Sequence, residues 1–172
     1  MPVVPDVSLT WLIQLVNGYA TEPRAAAGES AFPYPDLDSQ QLDIVPAVSE
    51  QDRVGVADRL WPLFEELEPV NRSARLNALL TASALTPQLD ASGATRWHSS
   101  RTDPAALLTA GCAAALLAAV NGHGWQRLGV CAGTDCVNIF IDQQRRTARR
   151  YCSPTCLNRA RIRAHRARQE GR

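Results

Sequence analysis

The apolar residues of the first 124 positions recur with the period of α-helices. Ser8 can cap a first helix. The apolar face of that helix would consist of Trp11, Leu12, Leu15, Val16 and Tyr19. A second helical pattern starts near Gln51, and Pro62 must start, break or kink an element within it. A third follows in RSARLNALLTASAL and stops before Pro87. The pattern predicts a mainly α-helical region.

Three other stretches complete this N-terminal region. Residues 21–46 are rich in Pro, Gly, Ser and acidic residues, which predicts a loop. PQLDASGATRWH predicts a short β-hairpin that turns at DASG. The apolar run 105–120 predicts a helix capped by Thr102, with Asp103 and Pro104 in its first turn and Gly122 just past its end. We expect this run to be too short and too alanine-rich for a membrane span, which needs about 20 apolar residues.

The pattern changes after residue 124. RLGV and VNIFI read as two short strands, and Ser153 with Pro154 can start a final helix. Four of the five cysteines lie around these elements. Cys131 and Cys136 fall on the turn between the strands, whereas Cys152 and Cys156 flank the start of the helix. A hairpin turn facing a helix N-terminus is the arrangement of a treble-clef-like zinc finger.

The cysteine spacing predicts a zinc site. Four residues separate the first pair, fifteen separate the pairs and three separate the second pair, which fits a four-thiolate site. Such a site is closed and structural, and it contributes folding energy to a segment too small for a core of its own. Two disulfides and an iron–sulfur cluster stay open as alternatives. Cys112, inside the apolar run, is expected to be a small buried hydrophobe.

Charge divides the chain in the same place. Residues 1–124 carry seven arginines and fourteen acidic residues, a balance of −7, whereas residues 125–172 carry eleven arginines and three acidic residues, a balance of +8. The chain contains no lysine, for which codon bias in a GC-rich genome is a simpler interpretation than selection for guanidinium chemistry. Such asymmetry indicates an acidic body joined to a basic module for polyanions.

Arginines lie in two parts of the basic module, RRTARR before Cys152 and the final helix. We predict that they bind nucleic acid, by phosphate contacts that supply affinity rather than sequence selectivity. The predicted contacts are Arg145, Arg146, Arg149, Arg150, Arg159, Arg161, Arg163, Arg166 and Arg168. A solvated basic tail that binds the acidic body stays open.

No nucleophile–base pair can be defended in residues 1–124, so we expect no catalytic residue and no enzyme. His98 and His123 are expected to be surface or capping residues. Asp36 and Asp38 could bind a cation, but a solvated acidic loop is the simpler interpretation. Glycine-rich phosphate loops are absent from the sequence.

The C-terminal segment resembles the bacterial CGNR zinc-finger family, usually described as stress-induced transcriptional regulators. The likeness rests on Phe140, Asp142, Arg149, Arg150, Tyr151, Cys152, Ser153, Cys156, Asn158, Arg159 and the basic helix RARIRAHRAR. Leu157 stands where the signature has glycine, and Gln144 and Arg146 stand where serine and asparagine are usual. Upstream, LIQLVNGYA with Asn17 and RLNALL with Asn77 resemble the family more weakly.

The resemblance and the charge pattern imply a DNA-binding transcriptional regulator with structural Zn²⁺. Residues 1–124 would form a regulatory, ligand-sensing domain, and residues 125–172 the nucleic-acid-binding module. The expected location is the cytoplasm of a bacterium, at the nucleoid and not at a membrane. Several alternatives stay open. The protein could be a protein-interaction adaptor, or it could bind RNA in place of DNA, with Tyr151 and Phe140 as stacking rings. A small-molecule effector of the N-terminal domain and a homodimer also stay open.

Overall fold

The mainly helical pattern is confirmed, with two small hairpins, in a computed structural model that describes residues 1–37, 42–44, 47–142 and 149–170. In these residues the N-terminal region contains α1 (Leu9–Tyr19), α2 (Thr21–Ala26), α3 (Glu50–Leu60), α4 (Pro62–Glu65), α5 (Pro69–Ala82), β1 (Leu85–Leu89), β2 (Thr95–Ser99) and α6 (Pro104–His123). The C-terminal region contains a 3₁₀ turn at Trp125–Arg127, β3 (Leu128–Val130), β4 (Ile139–Ile141) and α7 (Pro154–Glu170).

Helix α1 lies at the centre of the core. Ser8 caps it as predicted, with its Oγ accepting from the Trp11 N–H at 3.2 Å. The predicted apolar face is fully or almost fully buried: Trp11, Leu12, Leu15, Val16 and Tyr19. Helices α3 and α6 and strand β4 all pack against α1. The helical period therefore predicted the buried face correctly.

The prediction that residues 21–46 form only a loop is wrong at its start, where α2 forms. Arg24 on α2 is 4% exposed. Its guanidinium donates to the carbonyls of Gly18, Glu29 and Phe32 and lies 4.2 Å from the centre of the Tyr34 ring. One buried side chain thereby satisfies carbonyls both before and after α2. In this stretch Asp36 is exposed and Asp38 lies outside the described residues.

Two prolines set the helix starts that follow. Helix α3 ends at Leu60 with Trp61 as its C-cap, and Pro62 begins the short α4, so this proline starts an element. Helix α5 begins at Pro69, earlier than the predicted stretch. The predicted hairpin forms from β1 and β2, and Gly93 in its turn has φ +83°. His98 on β2 is half-buried, and its Nδ1 lies 3.4 Å from the Met1 carbonyl.

Helix α6 is shifted from its predicted ends. Asp103 caps it rather than Thr102, because the Asp103 carboxylate accepts from the Ala106 N–H at 2.8 Å. It ends at His123, before Gly124 with φ +77°, so Gly122 lies inside the helix. With 20 residues it is long and apolar enough to span a membrane by length and composition, so the length argument does not hold. Most of it is buried in the protein, as in a core helix.

Cys112 occupies the buried side of α6, with none of its surface exposed. Burial raises the pKa of this thiol to about 12. It behaves as a small apolar side chain, as predicted.

The C-terminal hairpin shares the apolar core of the N-terminal region. Leu128, Ile139 and Ile141 are buried in the same cluster as α1, α3 and α6. Strands β3 and β4 are antiparallel, with Leu128 opposite Ile141 and Val130 opposite Ile139. The boundary at residue 124 stays a prediction, and the core is continuous across it.

Candidate metal centre

The four clustered cysteines lie where the hairpin turn meets the start of α7. Cys131 directly follows β3, and its N–H donates to the Asn138 carbonyl at 2.9 Å, which extends the hairpin by one pair. The Ala132 N–H donates to the Arg150 carbonyl at 2.8 Å and brings in the segment before α7. Cys152 precedes α7 and Cys156 lies in its first turn. Both local predictions for the cysteines are therefore confirmed.

The four Sγ atoms converge on one point. They all lie within 4.8 Å of one another. Cys152 Sγ lies 3.6 Å from Cys136 Sγ and 3.7 Å from Cys156 Sγ. A tetrahedron with Zn–S bonds of about 2.3 Å has sulfur atoms about 3.8 Å apart. The structure joins none of the five cysteines in a disulfide. The donor set fits a closed, structural zinc site.

Backbone groups support the thiolates. The N–H groups of Gly133 and Cys152 donate to Cys131 Sγ at 3.4 and 3.3 Å. Ser153 caps α7 as predicted, with its Oγ accepting from the Cys156 N–H at 3.2 Å. Such N–H donors and the helix N-terminus favour negative charge on sulfur.

Burial acts in the opposite direction. It raises the pKa of Cys136 and of Cys152, whereas the hydrogen bond with Ser153 lowers the pKa of Cys156. Burying several thiolates together is unfavourable unless a cation compensates them. The four converging thiols are therefore suited to a metal ion, whose positive charge would compensate the thiolates that bind it.

One comparison with known proteins decides the family of this segment. Residues 127–169 match the family model described as CGNR zinc finger. This part of the chain is therefore similar to a CGNR zinc finger. The match covers about a quarter of the chain. A search of curated proteins finds none that matches.

Asn17 on α1 holds the CGNR zinc finger against the helical core. Its Oδ1 accepts from the Ile139 N–H at 2.7 Å, and its Nδ2 donates to the Ile139 carbonyl at 3.2 Å. The carboxamide thus pairs with both backbone groups of one residue on β4. Nearby, the Trp61 Nε1–H donates to the Val137 carbonyl at 3.2 Å. These bonds fix β4 and Val137, the residue that directly follows Cys136 of the metal site.

Arg72 on α5 makes a second connection and is 5% exposed. Its guanidinium donates to the carbonyls of Leu63, Trp125 and Leu128 at 2.7, 3.0 and 3.1 Å. It also lies 4.7 Å from the centre of the Trp125 ring. Burial lowers the pKa of Arg72. One side chain therefore joins α4, α5, the 3₁₀ turn and β3.

Phe140 on β4 and Asp142 just after it, two of the residues that carry the family likeness, have structural roles. Phe140 is 5% exposed, and the Arg149 guanidinium lies 5.4 Å from the centre of its ring. Asp142 is 4% exposed and pairs with Arg127 across the hairpin at 3.2 Å. The Asp142 N–H also donates to the Arg127 carbonyl at 2.8 Å.

The predicted nucleic-acid contacts fall into three groups. Arg145 and Arg146 lie outside the described residues. Arg149 is half-buried, and its guanidinium donates to the carbonyls of Tyr151, at 2.6 Å, and Cys152, beside the metal site. The exposed arginines are Arg150 and, on α7, Arg159, Arg161, Arg163, Arg166 and Arg168.

Sequence reasoning missed the roles of Arg72 and Trp61 and gave Asn17 no contact. Arg72 lies four positions before Leu76, among the apolar positions of a helical pattern. An arginine at such a position is a weak signal for a buried guanidinium. The carbonyls that it contacts lie up to 56 positions away.

Proposed function

We propose that this protein is a bacterial, cytoplasmic, DNA-binding transcriptional regulator of the stress-response kind, whose zinc finger presents α7 to duplex DNA. The observation that carries the proposal is the exposure of α7. Every residue from Arg161 to Gln169 is exposed, although the helix begins at the partly buried metal site. A helix held at one end and solvated over the rest is accessible to a partner.

Charge supports a polyanionic partner. Arg159, Arg161, Arg166 and Arg168 are all exposed on this one helix. Guanidinium groups bind phosphate oxygens and release counterions from duplex DNA. Four to five phosphate contacts, including one from Arg150, give a slope of about −4 in a plot of log affinity against log salt concentration.

The intramolecular alternative, a basic tail bound to the acidic body, receives less support. Two arginines of the finger pair with acidic residues of the finger itself, Arg127 with Asp142 and Arg163 with Asp135. Arg161, Arg166 and Arg168 on α7 are exposed, whereas Arg159, also exposed, lines a cleft together with Pro23 and Glu29 of residues 1–124. RNA recognition by stacking also loses one of its two proposed rings, because Phe140 is buried.

Residues 1–124 are proposed to sense a signal and pass it to the finger. The support is physical continuity, since Asn17, Trp61 and Arg72 all bond to the hairpin of the finger. A ligand or partner that shifted α1 would therefore act on β4 directly. The function proposed for these residues needs no catalytic group.

The test is metal analysis joined to DNA binding by the full-length chain. One zinc per chain is expected, and fluorescence anisotropy with a labelled 30-base-pair duplex should show binding. Affinity should fall about 150- to 500-fold between 50 and 200 mM salt, from the slope above. Arg161→Ala should lower the slope by about one, whereas Arg75→Ala, which removes an exposed arginine from α5, should not. Absent binding, or binding that does not respond to salt, would contradict the proposal.

A further inference from the structure

One side of α7 is already used by the finger. Cys156 points into the metal site and Ala160, one turn later, is half-buried. Arg163 donates to the Thr134 hydroxyl and lies 3.7 Å from the Asp135 carboxylate. These three positions share one face of a helix. The turn between β3 and β4 therefore fixes which side of α7 faces inward.

The opposite side carries a second stripe, which we call the outward stripe. It consists of Asn158, Ile162, His165 and Gln169, whose i, i+4, i+7 and i+11 spacing places them on one helix face. All four are exposed, and Ile162 keeps 54% of its surface in solvent. Arginines run along both borders: Arg159 and Arg166 on one side, Arg161 and Arg168 on the other.

We infer that the outward stripe reads base edges in the major groove while the bordering arginines contact the two phosphate walls. This inference rests on the proposed function, because it requires that α7 binds duplex DNA. It assigns selectivity to side chains other than the arginines. Phosphate contacts position a protein on DNA, whereas sequence is read by groups that reach the bases.

The side chains of the outward stripe have suitable chemistry. Carboxamides of Asn and Gln pair with the N6 and N7 atoms of adenine, and apolar side chains contact the thymine methyl group. The Gln169 Nε2 lies 3.0 Å from His165 Nε2 and can donate to it, which orients the Gln169 carboxamide. Its Oε1 and second N–H stay available for a base. Asn158 and Gln169 therefore predict adenine at two positions, and Ile162 predicts a thymine between them.

The dimensions also agree. A helix with its side chains is about 10–12 Å across, and the major groove of B-DNA is about 12 Å wide. From Asn158 to Gln169 the helix rises about 16 Å, which corresponds to about five base-pair steps. Arginines on both borders of the outward stripe match a groove that has phosphates along both walls. The deep, narrow major groove of duplex RNA does not admit such a helix.

Single-stranded nucleic acid would be recognised by other groups. Base stacking on aromatic rings contributes much of that binding, and the sequence of α7, PTCLNRARIRAHRARQE, contains no Phe, Tyr or Trp. An acidic protein surface would be satisfied by the arginines alone and would place no demand on Asn158 or Gln169. Both are outcomes that the experiment separates.

The experiment uses the full-length, zinc-loaded chain and a library of duplexes with 20 random base pairs. After selection, anisotropy measures affinity for the selected duplex, a scrambled duplex, single-stranded RNA and polyglutamate. We expect a selected motif of about five base pairs. Asn158→Ala and Gln169→Ala should each lower discrimination between selected and scrambled duplex by about 5- to 150-fold, with the salt slope unchanged.

Matched controls separate these effects. Asn77→Ala and Gln51→Ala remove the same groups from exposed sites on α5 and α3 and should leave discrimination intact. Arg161→Ala and Arg168→Ala should each weaken binding to the selected and the scrambled duplex alike. Each should also lower the slope of log affinity against log salt concentration. Circular dichroism establishes that each variant keeps its helices.

Three results would overturn the inference in distinguishable ways. Salt-dependent duplex binding without a selected motif, or with a motif that both carboxamide variants keep, refutes base reading and leaves the proposed function standing. Failure of the unmodified chain to bind duplex refutes both. Tighter binding to single-stranded RNA or polyglutamate than to any duplex assigns α7 to a different partner.

Discussion

Replacing Arg72 by methionine tests how strongly the zinc finger is joined to the helical core. Methionine fills a similar volume but cannot donate to the carbonyls of Leu63, Trp125 and Leu128. The bonds to Leu63 and Leu128 are fully buried. Each carbonyl left without a donor in such a place costs about 1–3 kcal/mol. Losing the contact with the Trp125 ring adds up to about 1 kcal/mol.

Part of this loss is offset. Burial lowers the pKa of Arg72, which shows that the guanidinium is poorly solvated where it lies, and methionine removes that unfavourable charge. Carbonyls also have a second lone pair that a shifted donor or a water can reach. We therefore expect Arg72→Met to lower the free energy of unfolding by about 3 kcal/mol. That is a large share of the 5–15 kcal/mol typical of a folded protein.

The assay is urea unfolding of the zinc-loaded chain at a fixed free zinc concentration, followed by circular dichroism. With a urea dependence of about 2 kcal/mol per molar, the midpoint should fall by about 1.5 M. Arg72→Lys keeps the charge but not the planar guanidinium, so its free energy of unfolding should be about 1 kcal/mol higher than that of Arg72→Met. Arg75→Ala, at an exposed site on the same helix, should change the free energy of unfolding by less than 0.5 kcal/mol, the usual size of a surface effect. If Arg72→Met resembled Arg75→Ala, the three bonds would not be holding the two regions together.

Four further predictions concern other elements. Cys152→Ser should release zinc and unfold α7, while the helical core keeps its cooperative transition; metal analysis and circular dichroism check both. Asn17→Ala should lower the free energy of unfolding by about 2 kcal/mol, because both backbone groups of one β4 residue lose a partner. Ala84→Gly should raise it by about 0.5–1 kcal/mol, since Ala84 has φ +47°, and thermal unfolding measures the gain. Asp90 in the β1–β2 turn has its pKa lowered to about 2, first by the Ser92 hydroxyl. Its stabilisation is therefore present above the unfolded value near 4 and is lost as pH falls toward 2; Asp90→Asn should remove this pH dependence in an NMR titration of the turn.

Local signals predicted much of the fold. The caps at Ser8 and Ser153, the turn at Gly93 and the apolar period of α1 each involve residues within one or two turns of one another. The metal site was predictable for a related reason. Two close cysteine pairs need only a hairpin turn and a helix N-terminus to converge, and both were visible in the sequence.

Contacts between distant parts of the chain were not predictable. Asn17 and Ile139 are 122 positions apart, and Trp61 and Val137 are 76 apart. Arg24 on α2 has a buried guanidinium that reaches carbonyls on both sides of that helix. None of these residues has a distinctive local pattern. Their roles follow from which backbone groups the tertiary fold brings near them.

The position of α7 follows from two constraints of different kinds. Asn17 holds strand β4 against the core, and Cys136 lies in the turn three residues before that strand, so the site has a fixed position relative to α1. Cys156 and the contacts of Arg163 then orient the first turns of α7. The residues from Ala164 to Gln169 are all exposed, so the direction of the helix is set near its start. A zinc ion at that start therefore does more than stabilise a small fold, because it determines where the exposed arginines and the outward stripe point.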